Sequence, residues 1–390
     1  MVIAIVGSGP AGFYCADFLT RALPDAQVHV FERLPQPYGL LRYGVAPDHA
    51  GTRGLSRLFD RIARRANLRC FANVGVGADI AFEDLRVAYD AVILATGAAC
   101  GAKAISSDPD LPSSSSITAF DLLRCFNGHP DADARQLPGR TQAACIIGHG
   151  NVALDVARLL AHPSETLARC GVPRAVVEWH AGLGLQEIHL CGRGHAGNTR
   201  FSAAGLEELE NVDGLRRLVD PADVSMAEGS NLPALEVLRR WAGHGGGADS
   251  GPGMAIRWHF ECAPLRHRDR VLVVRDPSRG MREIAADVLI HAVGQRPAVM
   301  PGVPVDPQTG AVAHRNGRVD GMPGTYVVGW AAGGRNESIA GSRAAAGALA
   351  EVVIADLRQR SVLLDGRAAE RLILSCGLGS PDREPPAENG

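Results

Sequence analysis

At 390 residues with 46% hydrophobic content, the chain exceeds the roughly 250 to 300 residues at which a single core stops growing, so two domains are expected and a disordered or fibrous protein is excluded. Forty basic residues against 42 acidic ones give a formal charge of −2, with only 5% aromatics. That balance lacks the basic footprint and the base-stacking platform of a nucleic-acid binder.

The chain opens with "MVIAIVGSGPAG". Its apolar run is too short to span a membrane, has no basic leader and flows straight into glycines, so a cytoplasmic protein without signal peptide or membrane partner is expected. Val2 to Val6 read as a buried strand, followed by Gly7-x-Gly9-x-x-Gly12, a helix to about Arg21, and "VHVFER" as a second strand. Gly7 permits the tight turn, Gly9 lets backbone approach a pyrophosphate at the helix N-terminus, and Gly12 allows close helix packing. Pro10 and Ala11 lie within the same turn. Glu32, twenty residues after Gly12, is placed to accept hydrogen bonds from ribose hydroxyls.

"YDAVILATGA" reads as another strand, ending at Thr96-Gly97, and the serine-rich "SSDPDLPSSSS" reads as a connection between domains. The boundary falls near residue 105, which sets residues 1–104 apart as the first part of one domain. In "CIIGHGNVALDVARLL" the pattern returns: a strand from Ala144 to Ile147, Gly148-x-Gly150-x-x-Ala153 with His149, Asn151 and Val152 in the turn, then a helix. The strand Glu187 to Cys191 does not end in the acid that an unphosphorylated ribose prefers, and Arg193 with Arg200 can form a clamp for a 2′-phosphate. "WAGHGGGADSGPG" reads as a flexible surface connection.

The last segment holds a strand from Thr325 to Val328, a Gly-rich turn and a long Ala-rich helix. Its natural place is back against the first domain. The fold class is therefore α/β, with two Rossmann-like dinucleotide-binding domains, the NAD(P)H domain (105–296) inserted into an FAD domain formed by 1–104 and 297–376; the polar tail 377–390 is expected to be disordered. Backbone N–H groups near residues 337 to 339, Ile339 included, would face the flavin edge where negative charge develops. Two dinucleotide sites imply one tightly held cofactor and one that exchanges, FAD and NAD(P)H.

Nine cysteines form no C-x-x-C pair and no zinc or iron–sulfur spacing, so buried thiols in a reducing compartment, and no metal site, are expected. There is no H-E-x-x-H, nucleophile elbow or Walker lysine.

"IVGSGPAGFYCADFL", "YGLLRYGVAPDH", "IIGHGNVALDVARLL", "VPVDPQTGAVAHRNGRV" and "PGTYVVGW" together resemble the adrenodoxin reductase type of ferredoxin–NADP reductase. The resemblance spans residues 2 to about 357. It implies that Gly7, Gly9, Gly12, Glu32, Leu40, Val76 and Gly97 hold FAD, with Gly329 and Trp330 beside the flavin. It likewise implies that Gly148, His149, Gly150, Asn151 and Val152 bind the pyrophosphate of NADPH, and that His49 and Asp155 form a polar pair that positions nicotinamide and carries protons. The implied reaction takes hydride from NADPH to FAD and passes electrons to an acidic iron–sulfur protein, a ferredoxin. Such a partner needs a basic face, for which Arg61, Arg64, Arg65, Arg69, Arg216, Arg217, Arg239 and Arg240 are candidates.

Three departures from the family pattern stand out. Only Arg193 remains where the family has two adjacent arginines. Gly205 replaces a glutamate that contacts nicotinamide, leaving Glu207 and Glu208 on other faces. "GRNES" puts Glu337, a candidate catalytic residue, where a tight glycine turn is usual. These changes motivate two alternatives: a stand-alone flavoenzyme acting on a small-molecule substrate in a rebuilt pocket, and a non-catalytic flavin-binding subunit.

Overall fold

The computed structural model describes residues 1–49, 51, 54–244, 253–334, 339–360 and 363–378, with backbone only at 244, 339 and 340. It divides into two compact units, one formed by Met1–Val45, Ala50–Cys100 and Gln295–Gly390, the other by Ala46–His49 and Gly101–Gly294.

In the first unit, β1 (Val2–Val6) is buried at every position, as an unbroken apolar run must be in a parallel sheet covered on both faces. The chain crosses through α1 (Pro10–Ala22) to β2 (Gln27–Phe31), then through α2 (Ser56–Ala63) to β3 (Leu68–Phe71), and finally returns to β4 (Ala91–Leu94) on the other side of β1. All three pairings are parallel. α2 presents Phe59 and Ile62 to the core, where Phe59 stacks on Phe13 and meets the edge of Tyr14.

The second unit repeats the plan. Its sheet is six-stranded and parallel throughout, in the order β5 (Ser116–Thr118), β10 (Val288–His291), β6 (Ala143–Ile147), β7 (Glu187–Cys191), β9 (Ala255–His259), β8 (Arg216–Leu218). β6 leads into α3 (Asn151–Ala161). Because later strands are added on both sides of β6, the order reverses there, and the C-terminal ends of β6 and its neighbours are where such sheets bind ligands. Trp241 is buried near the end of α4 (Leu232–His244), which corrects the sequence reading: the first four residues of "WAGHGGGADSGPG" finish a helix, held by the Trp241 indole donating to Glu210 at 2.7 Å. Residues 245–252 of that segment lie outside the described residues.

The chain then returns to the first unit. β11 (Thr325–Val327) pairs parallel with β4, and α5 (Ile339–Arg358) packs along α1, Gly347 lying where a Cβ would be 3.2 Å from the Phe18 ring. The fold class expected from the sequence is the one observed, two doubly wound α/β units. Of the nine cysteines, Cys15, Cys125, Cys145, Cys191 and Cys262 are buried and Cys100 is exposed. Burial pushes the Cys15 thiol up to about 12, so it is inert as a nucleophile at neutral pH.

Candidate functional site

The glycine turn of the first unit is shaped by protein atoms at two positions and left open at a third. Gly7 has φ +104° and donates to Phe31 O at 2.8 Å; a Cβ there would fall 2.3 Å from Ala95 O. A Cβ on Gly12 would fall 2.1 Å from Gly7 O, whereas one on Gly9 would meet nothing within 4 Å. Gly9 is the N-cap of α1 and supplies no side-chain cap, Pro10 occupies the first turn and no acid lies in it. The first-turn N–H groups are thus left for an outside acceptor, as a pyrophosphate requires.

Around this turn the other expected FAD residues gather. Glu32 follows β2, and its carboxylate accepts from Ser8 Oγ at 2.6 Å, Ser8 N at 3.1 Å and Leu34 N at 2.9 Å, so it is oriented before any ribose arrives. Leu40 begins a short helix after Gly39, whose φ is +50° and whose Cβ position is 3.1 Å from Gly9 Cα. Val76 lies in the loop after β3, anchored at Val74 N to Glu32 O. Gly97 (φ +74°) accepts from Ala298 N at 2.9 Å. Gly329 (φ +71°) is seated on Ala11, where a Cβ would be 2.9 Å from the alanine methyl, and Trp330 follows half-buried. Ile339 is the first residue of α5. Glu337 lies outside the described residues.

The second unit holds the same construction. Gly148 (φ +136°) donates to Cys191 O at 2.8 Å, and a Cβ there would fall 2.3 Å from Ala292 O. Gly150 caps α3 without a side-chain bond, has no acid in the first turn after it and would leave a Cβ in open space. Asn151 Oδ1 accepts from Ser202 N at 2.8 Å, and Val152 is 40% exposed on the first turn. The His149 side chain turns inward: it is packed against Phe201 and Phe260, its Nε2 lies 3.2 Å from Leu190 O, and burial pushes its pKa down to about 4. Only its backbone is left to serve the turn.

Arg193 and Arg200 are both exposed on the loop after β7, and neither has a carboxylate partner among the described residues. Arg200 is tied to the turn by its N–H to His149 O at 2.9 Å and by a bridge to Gly150. Gly205 has a packing reason: a Cβ there would stand 3.1 Å from Leu154 Cδ1 and 3.2 Å from Ser202 Oγ.

His49 and Asp155 do meet. His49 Nε2 is 3.1 Å from Asp155 Oδ1 and 3.2 Å from Glu208 Oε2, its N–H aimed squarely at neither. Glu208 was set aside in the sequence as facing elsewhere; the structure brings it into the pair. Beneath them Arg158, its side chain 4% exposed, donates to Asp48 at 2.5 and 3.0 Å, to Asp155 at 2.9 Å and to Glu208 at 2.8 Å. The adjoining Asp155 carboxylate raises the His49 pKa, burial opposing it. Asp48 pays desolvation on burial, yet His162 and Arg158 hold its carboxyl well below the usual range. His49, Asp155 and Glu208 are close enough to hold a cation, but the Arg158 guanidinium already bonds both carboxylates.

The arginines offered as a basic face are mostly engaged. Arg65 is paired with Asp17. Arg69 lies in β3, not on a helix, over the Phe71 ring. Arg217 donates to Leu209 O and covers Trp241, Arg239 donates to Val224 O and Ala227 O, Arg240 pairs with Glu210, and Arg216 also has interactions of its own.

Comparison with known proteins bears on both sites. The family model described as pyridine nucleotide-disulphide oxidoreductase matches residues 1–178. The chain is 33% identical over 360 residues to NADPH-ferredoxin reductase FprA of Mycobacterium tuberculosis, an alignment covering 84% of this chain and 78% of that protein. It is 33% identical to cindoxin reductase of Citrobacter braakii, covering 95% and 81%. The solved structure of M. tuberculosis FprA in complex with NADPH superposes with a TM-score of 0.87 at 30% identity, over 96% of this chain and 90% of that one.

Proposed function

The chain belongs to the ferredoxin–NADP reductases of the adrenodoxin reductase type, and from that premise we propose how its residues serve an FAD-dependent oxidation of NADPH with a ferredoxin as acceptor. When bound, FAD would supply the chemistry that couples a two-electron hydride donor, NADPH, to a one-electron carrier. The observation that carries the reading is the doubled turn: two helix N-termini without side-chain caps, each behind a glycine that no other residue can replace.

In the first unit the N–H groups after Gly9 bind the FAD pyrophosphate, Glu32 orients the ribose, and Leu40, Val76, Gly97, Gly329 and Trp330 frame the remainder. In the second unit the turn from Gly148 to Val152 binds the NADPH pyrophosphate, while Arg193 and Arg200 take the 2′-phosphate as charge-assisted donors. His49, more readily protonated than an ordinary histidine, holds a proton at Nε2 between Asp155 and Glu208 and can hand it to a bound group. Arg158 keeps those carboxylates in place. Among the described residues no helix is long and apolar enough to cross a membrane, in keeping with a cytoplasmic enzyme, which cell fractionation would test.

The experiment is anaerobic rapid mixing of the purified protein with NADPH, and separately with NADH, following flavin absorbance near 450 nm. Fast bleaching with NADPH preferred, followed by reduction of an added two-iron ferredoxin, is the expected result. Absence of bleaching with either nucleotide would overturn the reading.

A further inference from the structure

Opposite the buried pair Phe59 and Ile62, α2 and its C-cap carry Arg57, Arg61 and Arg64, all exposed. At about 100° per residue the three lie within an arc of about 60° centred away from the core. None of them has an ion pair or side-chain hydrogen bond among the described residues. The acids nearby are already bound: Asp60 accepts from the Tyr38 hydroxyl, and Asp17 is held by Arg65 and Arg21. Three guanidiniums with no ion-pair partner among the described residues thus stand in a row on a chain whose formal net charge is −2, Asp60, which stays charged while it accepts from the neutral Tyr38 hydroxyl, being the one acid on the helix.

This helix is also directly joined to the FAD turn. Phe59 packs against Phe13 of α1 and Tyr38, Asp60 bonds Tyr38, Tyr38 N donates to Ser8 O at 3.1 Å, and the next residue, Gly39, lies on Gly9. A protein seated on the arginine row therefore rests one layer behind the loop that frames the flavin, within the same unit.

We propose that Arg57, Arg61 and Arg64 form a docking surface for the acidic iron–sulfur protein that accepts the electrons. The proposal rests on the ferredoxin reductase reading and names its partner surface. Charge complementarity selects the occupant: a positive row with no ion-pair partner among the described residues attracts a partner with clustered carboxylates and speeds encounter, an effect that salt screens. The other arginine clusters offer less, because their guanidiniums already bond carbonyls, carboxylates or rings.

The test uses the FAD-loaded full chain and an acidic two-iron ferredoxin as probe. Wild type, Arg57→Glu/Arg61→Glu/Arg64→Glu, and the lysine triple variant are compared for ferredoxin-dependent cytochrome c reduction at about 20 and 200 mM salt, with ferricyanide reduction by NADPH as the reaction that needs no docking. Expected is a rise in KM for ferredoxin on the order of tenfold or more in the glutamate variant at low salt, a smaller difference at high salt, near wild-type behaviour of the lysine variant, and unchanged ferricyanide rate and FAD content. An unchanged KM in the glutamate variant overturns the proposal while leaving the reductase reading intact. If the glutamate variant loses FAD, binding of ferredoxin to the single variants, measured by calorimetry, decides in its place. Failure of wild type to reduce ferredoxin at all, with ferricyanide reduction intact, overturns the acceptor and the docking surface together.

Discussion

Gly7 and Gly148 are held alike in two different units: each donates to the carbonyl of the last residue of a neighbouring strand, Phe31 or Cys191, at 2.8 Å, and a Cβ on either would fall 2.3 Å from the carbonyl oxygen of Ala95 or Ala292. Both have positive φ, so alanine meets strain and collision together. Gly7→Ala should lower the flavin recovered per protein severalfold and the Tm by several degrees. Gly148→Ala should keep its flavin and lose NADPH affinity. Absorbance at 450 nm against 280 nm, with nucleotide titration, separates the two outcomes.

Removing Arg158 strips a buried cation from three carboxylates. Because its side chain is 4% exposed, Arg158→Met should cost about 3 to 5 kcal/mol in urea unfolding, and Arg158→Lys less. A loss under about 1 kcal/mol would show that the carboxylates find other partners.

His49 is raised chiefly by the Asp155 carboxylate beside it. Its contribution to stability is therefore full below the unfolded pKa of about 6.5 and lost as pH rises through the folded value. Asp155→Asn should move the His49 imidazole titration, followed by NMR, to lower pH.

His259 behaves in the opposite sense. Burial first, then the His189 and Arg282 charges, push it down to about 3, and its Nε2 lies 3.0 Å from His189 Nδ1. The unfolded chain takes up the proton first, so this stabilisation fades as pH falls from about 6.5 towards 3. Thermal unfolding between pH 7 and 4.5 should show a falling Tm, with a smaller fall in His259→Gln.

Arg193→Ala and Arg200→Ala should each weaken NADP⁺ binding by about tenfold, corresponding to about 1.5 kcal/mol for a charge-assisted contact, and leave NAD⁺ binding nearly unchanged. Competition by 2′,5′-ADP reads the contact directly. Equal losses for both nucleotides would place the arginines on the pyrophosphate instead.

Local features were legible in the sequence where backbone alone sets the outcome. The strand Val2–Val6, the two glycine turns and the strand Glu187–Cys191 are found where the pattern put them, because positive φ and close approach leave only glycine. Long-range charge placement was not legible. Nothing in the spacing of Glu208 shows that a 3₁₀ turn after Gly205 swings it onto Arg158 and His49. Nor does an arginine run reveal which members bend back to bond carbonyls, as Arg239 does, and which stay in solvent, as Arg61 does.

α5 lies along α1, although more than 300 residues separate them, with the Cys15 thiol facing Ala346 O at 3.8 Å. On a ribosome the segments of the second unit have all emerged before α5 is made. That unit can fold during synthesis, while β1 and α1 wait with one apolar flank uncovered until the closing helix arrives. On the cofactor assignment proposed above, flavin loading would wait until that helix has been made, and a chain truncated before residue 339 should keep a complete second unit joined to a first unit with an open flank.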